Sequence, residues 1–131
     1  MKLRKASMKD IIFFYELRSD PVACRMSRRP APTLAEHMRW WYKTTDLRYV
    51  AQVDSVRVGI IRLSEDGVVS IIVHPERRGQ GLGEPMLREL ETHARGKRYR
   101  HLIAEIAYEN TASQRIFGKA EWRPILFERY L

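Results

Sequence analysis

The chain has 131 residues, of which 44% are hydrophobic and 31% are charged, a balance typical of one soluble globular domain with its own core. Its 24 lysine and arginine residues outnumber its 16 acidic residues and give a formal net charge of +8, which favours an anionic partner. The apolar runs are too short for a membrane span, no secretory signal is visible, and the single cysteine, Cys24, excludes an intrachain disulfide. We therefore expect one cytoplasmic domain, residues 1–131, without a membrane partner.

The N-terminal third of the chain predicts one strand, two helices and a loop. "KLRKA" has the pattern of a short strand, and "SMKD" resembles a capping box that opens a helix ending near Ser19, before the "DP" dipeptide. "RMSRRPAP", residues 25–32, predicts a loop because of its two prolines. "TLAE" is a second capping box and predicts a helix through "LAEHMRWWYKTT".

The rest of the chain predicts most of a sheet and two further helices. "RYVAQVD" and "VRVGIIRL" flank the short turn Asp54–Ser55 and predict a hairpin, and "VVSIIV" predicts a buried central strand. One helix is predicted from Leu82 to near Gly96 and another after Asn110, with strands at "HLIAEIA" and at the terminal "ILFERYL". The predicted fold class is therefore α/β of the α+β type, a mixed sheet flanked by about four helices.

Three glycines and two arginines stand between the central strand and the next helix, in "HPERRGQGLG". A helix N-terminus offers unpaired backbone N–H groups and the positive end of the helix dipole. Glycines allow the backbone to approach an anion closely, and Arg77 and Arg78 add positive charge. The stretch thus predicts a pyrophosphate site. Its spacing fits neither a P-loop, which needs a following Lys-Ser or Lys-Thr pair, nor the dinucleotide fingerprint.

Two blocks of this sequence resemble the GNAT acyl-CoA N-acetyltransferases. "RGQGLG" matches the R/Q-x-x-G-x-G/A signature of that family. "AEIAYENTASQRIFGKAEW" resembles a second family motif, whose Asn corresponds to Asn110 here. The resemblance covers nearly the whole chain. It implies a largely antiparallel GNAT-like sheet with splayed central strands, a single N-acetyltransferase domain, acetyl-CoA as the acetyl donor and no metal.

The same resemblance implies which residues bind the cofactor. Backbone N–H groups of the glycine loop would hold the pyrophosphate, and the backbone of the central strand would pair with the pantetheine arm. Asn110 would contact that arm, although a plain helix N-cap is an alternative of similar weight. The predicted cofactor-binding residues are Ile72, Val73, Arg78, Gly79, Gln80, Gly81, Leu82, Gly83, Asn110, Ser113 and Phe117.

The reaction is attack of a deprotonated amine on a thioester, followed by protonation of the leaving thiolate. Glu105 is the predicted base, because it lies five residues before Asn110, as in a ribosomal-protein N-acetyltransferase subgroup, and interrupts an apolar strand. Partial burial would strengthen it as a base, whereas an outward-facing Glu105 paired with an arginine is the alternative. Phe117 occupies the position at which the family usually has the Tyr that acts as general acid, so Tyr108 is the substitute candidate for that role.

The acceptor is predicted from the segment between residues 18 and 43. Its layout resembles N-acetyltransferases of nucleotide-linked amino sugars and, less closely, ribosomal-protein N-terminal acetyltransferases. Arg25, Arg28 and Arg29 would meet a nucleotide diphosphate and Trp41, or an aromatic neighbour, would stack on a base or sugar, unless the tryptophans are core and the arginines solvated.

Two alternative functions stay open at this point, and a third is disfavoured. The protein could acetylate protein N-termini, or bind CoA without turnover as a regulatory module, which the departure at Phe117 favours. A nucleic-acid partner is disfavoured because the chain has no basic tract or zinc pattern. Only twelve residues follow Lys119, so a partner chain completing the sheet, and hence a homodimer, is a further hypothesis.

Overall fold

The computed structural model describes residues 1–125, 129 and 131. Four strands form its sheet: β1 (Lys2–Lys5), β2 (Leu47–Val53), β3 (Val56–Leu63) and β4 (Val69–Val73). Within the described residues, five α-helices accompany them: α1 (Ile11–Arg18), α2 (Pro21–Ser27), α3 (Leu34–Lys43), α4 (Gly83–Arg95) and α5 (Thr111–Lys119). Within the described ranges, none of these helices combines the length and the apolarity needed to cross a bilayer.

The strands lie in the order β1-β2-β3-β4, and every neighbouring pair is antiparallel. The hairpin predicted between β2 and β3 is confirmed. Asp54 and Ser55 both have positive φ angles, 51° and 66°, which match the right-handed twist of the strands they join. The predicted mixed α+β fold is thereby confirmed, with one helix more than the sequence indicated.

Each face of the sheet carries its own apolar core. One face is mainly aliphatic and packs against α4 and α5 through fully buried residues that include Ile61, Met86, Leu87 and Leu90; we call it the aliphatic core. The opposite face is aromatic and packs against α1 and α3, with Phe14, Trp41, Val50 and Ile60 buried. The strict alternation of side chains along the strands separates these two cores.

The prediction of a loop at residues 25–32 is wrong for its first part, because α2 extends to Ser27. Pro21 occupies the first turn of α2, where its missing N–H has no helical partner. Asp20 caps that turn, since its Oδ2 accepts a hydrogen bond from the Ala23 backbone N–H at 2.9 Å. The "DP" dipeptide therefore ends one helix and begins the next.

The prediction of a buried central strand followed by a partner strand is also wrong in detail. β4 pairs with β3, and its other side meets residues 101–107 only at a parallel bridge between Val68 and Ile103. Beyond this bridge the described structure assigns no strand to residues 101–107, so β4 forms the edge of the four-stranded sheet. The predicted terminal strand falls mainly on residues 126–128 and 130, which lie outside the described residues.

Candidate active site

The glycine loop links β4 to α4 through a short 3₁₀ turn at Pro75–Arg77. Gly79 and Gly81 have φ angles of 78° and 73°, in the left-handed region that side chains disfavour. A Cβ atom added at either glycine would meet nothing within 4 Å. These two glycines are therefore needed for the backbone conformation, and the space beside them is open to a ligand.

The end of the glycine loop presents unpaired donors. Within the described chain, no protein acceptor takes the backbone N–H groups of Gly81, Leu82 and Gly83. Gln80 is exposed beside them. Free N–H groups at the start of a thirteen-residue helix are donors suited to phosphate oxygens, and the pyrophosphate site itself stays a prediction.

Gly83 is required for a different reason from the two glycines before it. It is buried, and a Cβ atom there would lie 2.5 Å from Cδ1 of Ile116 on α5. Arg78, also predicted at this site, is held by an ion pair in which its Nη2 lies 2.7 Å from Oδ2 of Asp20. The loop is thus fixed by α5 on one side and by the cap of α2 on the other.

The open edge of β4 runs toward this loop. Ile72 and Val73 are half-buried and pair with Ile60 and Gly59 of β3 on one side only. Because the partner segment leaves the sheet after Ile103, the backbone of these two residues has no strand beside it in the described structure. This separation corresponds to the splay that the resemblance implied.

The second sequence block is built around α5. Asn110 Oδ1 accepts a hydrogen bond from the Ser113 backbone N–H at 3.1 Å, so Asn110 is the predicted N-cap. Phe117 is buried, with its ring 4.8 Å from that of Trp122 in an edge-on contact. Phe117 therefore lies in the aliphatic core, and its assignment as a cofactor contact stays a prediction.

The two predicted catalytic side chains lie between the bridge at Ile103 and α5. The expectation that Glu105 is partly buried is wrong, because the segment leaves the sheet and Glu105 is exposed. Tyr108 is 81% exposed. Both groups are accessible to a substrate, and their chemical roles remain predictions.

The predicted acceptor wall divides between two cavities. Arg25 and Arg28 line one cavity together with Ala107 and Glu109. The Nη2 atom of Arg28 lies 2.9 and 2.7 Å from the two carboxylate oxygens of Glu109. This ion pair joins the end of α2 to the segment that carries Glu105 and Tyr108.

A second cavity, which we call the arginine cavity, lies between α1, α3 and the aromatic face of the sheet. Arg29 belongs to it, whereas Trp41 does not, since Trp41 is buried edge-on against Phe14 at 5.2 Å. The adjacent Trp40 lines the cavity instead, which corrects the predicted aromatic contact. Its lining consists of Phe14, Arg18, Arg29, Trp40, Ile60, Arg62, Ser70 and Ile72.

Residues 14–121 match the model of the "Acetyltransferase (GNAT) family". The chain belongs to this family. The acetyltransferase is 27% identical over 128 residues to an uncharacterised N-acetyltransferase of Methanocaldococcus jannaschii, a match that covers 94% of this chain and 78% of the relative.

Solved structures share the fold of this acetyltransferase. A domain from Methanocaldococcus jannaschii gives a TM-score of 0.85 at 16% identity and covers 98% of this chain and 91% of its own. The spermidine N-acetyltransferase of Vibrio cholerae, solved with CoA and spermine, gives 0.73 at 18% identity, with coverages of 91% and 78%. Both likenesses agree with the architecture derived from the sequence.

The acetyltransferase holds a half-buried arginine, Arg18, to which the sequence analysis gave no role. Arg18 stacks on Trp40 with its Cζ 4.0 Å from the ring centroid, and burial lowers the pKa of Arg18 to about 10, helped by repulsion from Arg62, Arg29 and Arg48. A signal for Arg62 was present, because strand alternation places it on the same face as the buried Ile60.

His37 fixes the position of Arg18. An arginine can only donate, so the 2.8 Å contact between Arg18 Nη1 and His37 Nδ1 makes that nitrogen an acceptor. His37 Nε2 then carries the proton and donates to the Ile11 carbonyl at 2.8 Å. Burial lowers the pKa of His37, in agreement with a neutral ring.

Proposed function

We propose that this acetyltransferase moves the acetyl group of acetyl-CoA to a primary amine on a nucleotide-linked amino sugar. The glycine loop carries the proposal. Its left-handed Gly79 and Gly81, the open space beside them and the unpaired N–H groups before α4 suit a pyrophosphate group.

Three parts of the chain offer groups that suit acetyl-CoA. The backbone of residues 78–83 would hold the pyrophosphate, and the open edge of β4 at Ile72 and Val73 would pair with the amides of the pantetheine arm. The Asn110 side-chain N–H₂ group remains available for the same arm, because its oxygen is the helix cap. Acetyl-CoA supplies a thioester carbon that an amine can attack.

Glu105 and Tyr108 are the groups that would move protons. The exposed Glu105 carboxylate would accept a proton from the acceptor ammonium and leave a nucleophilic amine. As the new C–N bond forms and the C–S bond breaks, the Tyr108 hydroxyl would donate a proton to the leaving thiolate and would regain one from the nitrogen as it becomes an amide. The buried Phe117 has no proton to give, so the donor has to come from elsewhere.

The acceptor assignment rests on the arginines of α2 and its C-terminal end. Arg25 and Arg28 line the cavity next to Glu109, and this cavity lies between α2 and the segment that carries Glu105 and Tyr108. Arg29 lines the arginine cavity. Arginine forks suit phosphate oxygens, which a nucleotide diphosphate would supply.

Thiol release from acetyl-CoA tests the proposal. The acceptors are a UDP-linked 4-amino sugar, a ribosomal-protein N-terminal peptide and a polyamine, with the acetyl-CoA thermal shift as the binding control. We expect release with the amino sugar. Release only with the peptide or the polyamine would overturn the acceptor class, and a thermal shift without any release would indicate a binding module.

The variant Glu105→Gln tests the base. Loss of a general base should lower turnover by about 10²- to 10⁴-fold while the acetyl-CoA thermal shift persists. Glu16→Gln, at an exposed position on α1, is the matched control and should retain full activity. Unchanged turnover in Glu105→Gln would remove Glu105 from the mechanism.

A further inference from the structure

The arginine cavity holds more positive charge than the protein around it neutralises. The guanidinium carbons of Arg18, Arg48 and Arg62 lie 4.0, 4.6 and 5.5 Å from the Trp40 ring centroid. Arg29 lines the same cavity. In the described chain, the carboxylate that pairs with this group is Asp46, whose Oδ2 lies 2.7 Å from Arg62 Nη1.

Arg18 is the least compensated member of the group. In the part of the chain that the structure describes, it forms no ion pair, and its hydrogen bond to His37 Nδ1 uses only Nη1. Arg48 is also incompletely satisfied, because its Nε is buried without a partner. Desolvating a guanidinium without a carboxylate costs free energy, which a bound anion would offset.

The position of the cavity connects it to the acetyl-transfer site. Ser70 and Ile72 form its wall on β4, and Ile72 also lies on the strand edge proposed to receive the pantetheine arm. The cavity itself has a volume of only about 10 Å³, so the charged end of an acceptor would lie at its opening, against the guanidinium groups of Arg18, Arg29 and Arg62. The other end of such an acceptor would extend toward β4.

We propose that the arginine cavity binds a carboxylate or phosphate group of the acceptor, with Trp40 supporting the guanidinium of Arg18. The acceptor class is thus an amine that carries a negative charge at a distance from its nitrogen. This inference rests on the proposed acetyl transfer and deepens it, because it assigns acceptor recognition to Arg18 and Arg62.

Four primary amines of similar length test the charge preference: O-phosphoethanolamine, γ-aminobutyrate, 4-amino-1-butanol and putrescine. Thiol release gives kcat/KM for each amine, and calorimetry in the presence of CoA gives its affinity. We expect both anionic amines to exceed the neutral alcohol by roughly 10- to 100-fold, with the cation putrescine last. Comparison of the two anionic amines separates phosphate from carboxylate recognition.

Arg18→Gln locates the effect, because glutamine keeps an N–H donor and removes the charge. It should abolish the preference for anionic amines, mainly by raising their KM, and should leave the affinity for acetyl-CoA unchanged. Arg57→Gln is the matched control, since Arg57 also stacks on an aromatic ring, 4.5 Å from Phe13, but does not line the cavity.

The outcomes separate this inference from the proposed function. Equal acetylation of all four amines would leave the enzyme activity intact and overturn the charge preference. A charge ranking by calorimetry without thiol release would uphold the anion site and overturn the proposed acetyl transfer. The inference is also overturned if neither assay ranks the amines by charge, or if the ranking survives in Arg18→Gln. It is likewise overturned if Arg18→Gln lowers the affinity for acetyl-CoA and leaves the ranking of the amines unchanged.

Discussion

Two arginine clusters of this molecule use similar parts and reach opposite electrostatic states. In the first, Arg4 and Arg57 share the fully buried Asp10. Each carboxylate oxygen of Asp10 lies 2.8 Å from one guanidinium nitrogen of Arg4, and Oδ1 also lies 3.4 Å from Nη1 of Arg57. The second lies at the arginine cavity, whose wall includes Arg18 and Arg62, with Arg48 nearby over Trp40. Of these three arginines, Arg62 is the one that forms an ion pair with Asp46 in the described chain.

The difference between the clusters lies in what completes them. The Arg4 guanidinium holds the pKa of Asp10 at about 2, so the first cluster is satisfied by the fold itself. Arg18 has an aromatic ring and a neutral histidine as neighbours, so the second cluster keeps an unsatisfied positive charge. On our proposal, the paired cluster serves stability, whereas the incompletely paired cluster beside the cavity recognises an anion.

The largest expected effect is on the paired cluster. Asp10→Asn should lower the free energy of unfolding by about 3 kcal/mol, because it leaves Arg4 and Arg57 without their charge partner. Urea unfolding measures the change. Asp54→Asn in the hairpin turn is the control and should cost less than about 0.5 kcal/mol, since asparagine also tolerates a left-handed backbone. Equal costs for the two variants would show that Asp10 is not a structural centre.

Acid should weaken the same ion pair, with a somewhat smaller loss in the free energy of unfolding. The pKa of Asp10 is lowered in the folded state from 3.8 to about 2, so its contribution is present above pH 4 and is lost as the pH falls toward 2. The loss amounts to about 2 kcal/mol. Unfolding curves across this range should show a steeper decline for the wild type than for Asp10→Asn, and parallel curves would contradict the assignment.

The smallest change in the free energy of unfolding is expected for a variant at the arginine cavity, and it separates the two clusters most directly. Arg18→Gln should change the free energy of unfolding by less than about 1 kcal/mol, because it removes a desolvated and repelled charge. Arg4→Gln, the corresponding change in the paired cluster, should cost about 2 kcal/mol. If urea unfolding gives both variants the same loss, Arg18 is a folding element and the two clusters do not differ in kind.

Local signals in the sequence predicted the fold well. The "TLAE" capping box is present, with the Glu36 backbone N–H donating to Thr33 Oγ1 at 3.1 Å. The hairpin turn and Asn110 behave similarly, because a cap or a turn depends on residues a few positions apart. Pro21 misled the prediction, since a proline ends one helix and suits the first turn of another.

Features that depend on distant contacts could not be predicted in the same way. Neighbouring tryptophans on a helix differ by about 100° in direction, so only tertiary packing decides that Trp41 is core and Trp40 lines the cavity. Glu105 lies in an apolar run that predicts burial, yet its exposure follows from where that segment leaves β4. The charge surplus around Arg18 likewise arises only when α1 meets β3 and α3.

The open edge of β4 also bears on how the protein behaves in solution. An unpaired strand edge is a template for pairing with another chain and a known route to aggregation. On the proposed function, acetyl-CoA covers this edge whenever it is bound. Bound acetyl-CoA would then prevent self-association through this edge. A purified sample should therefore remain free of aggregates at higher protein concentration with acetyl-CoA present than without it.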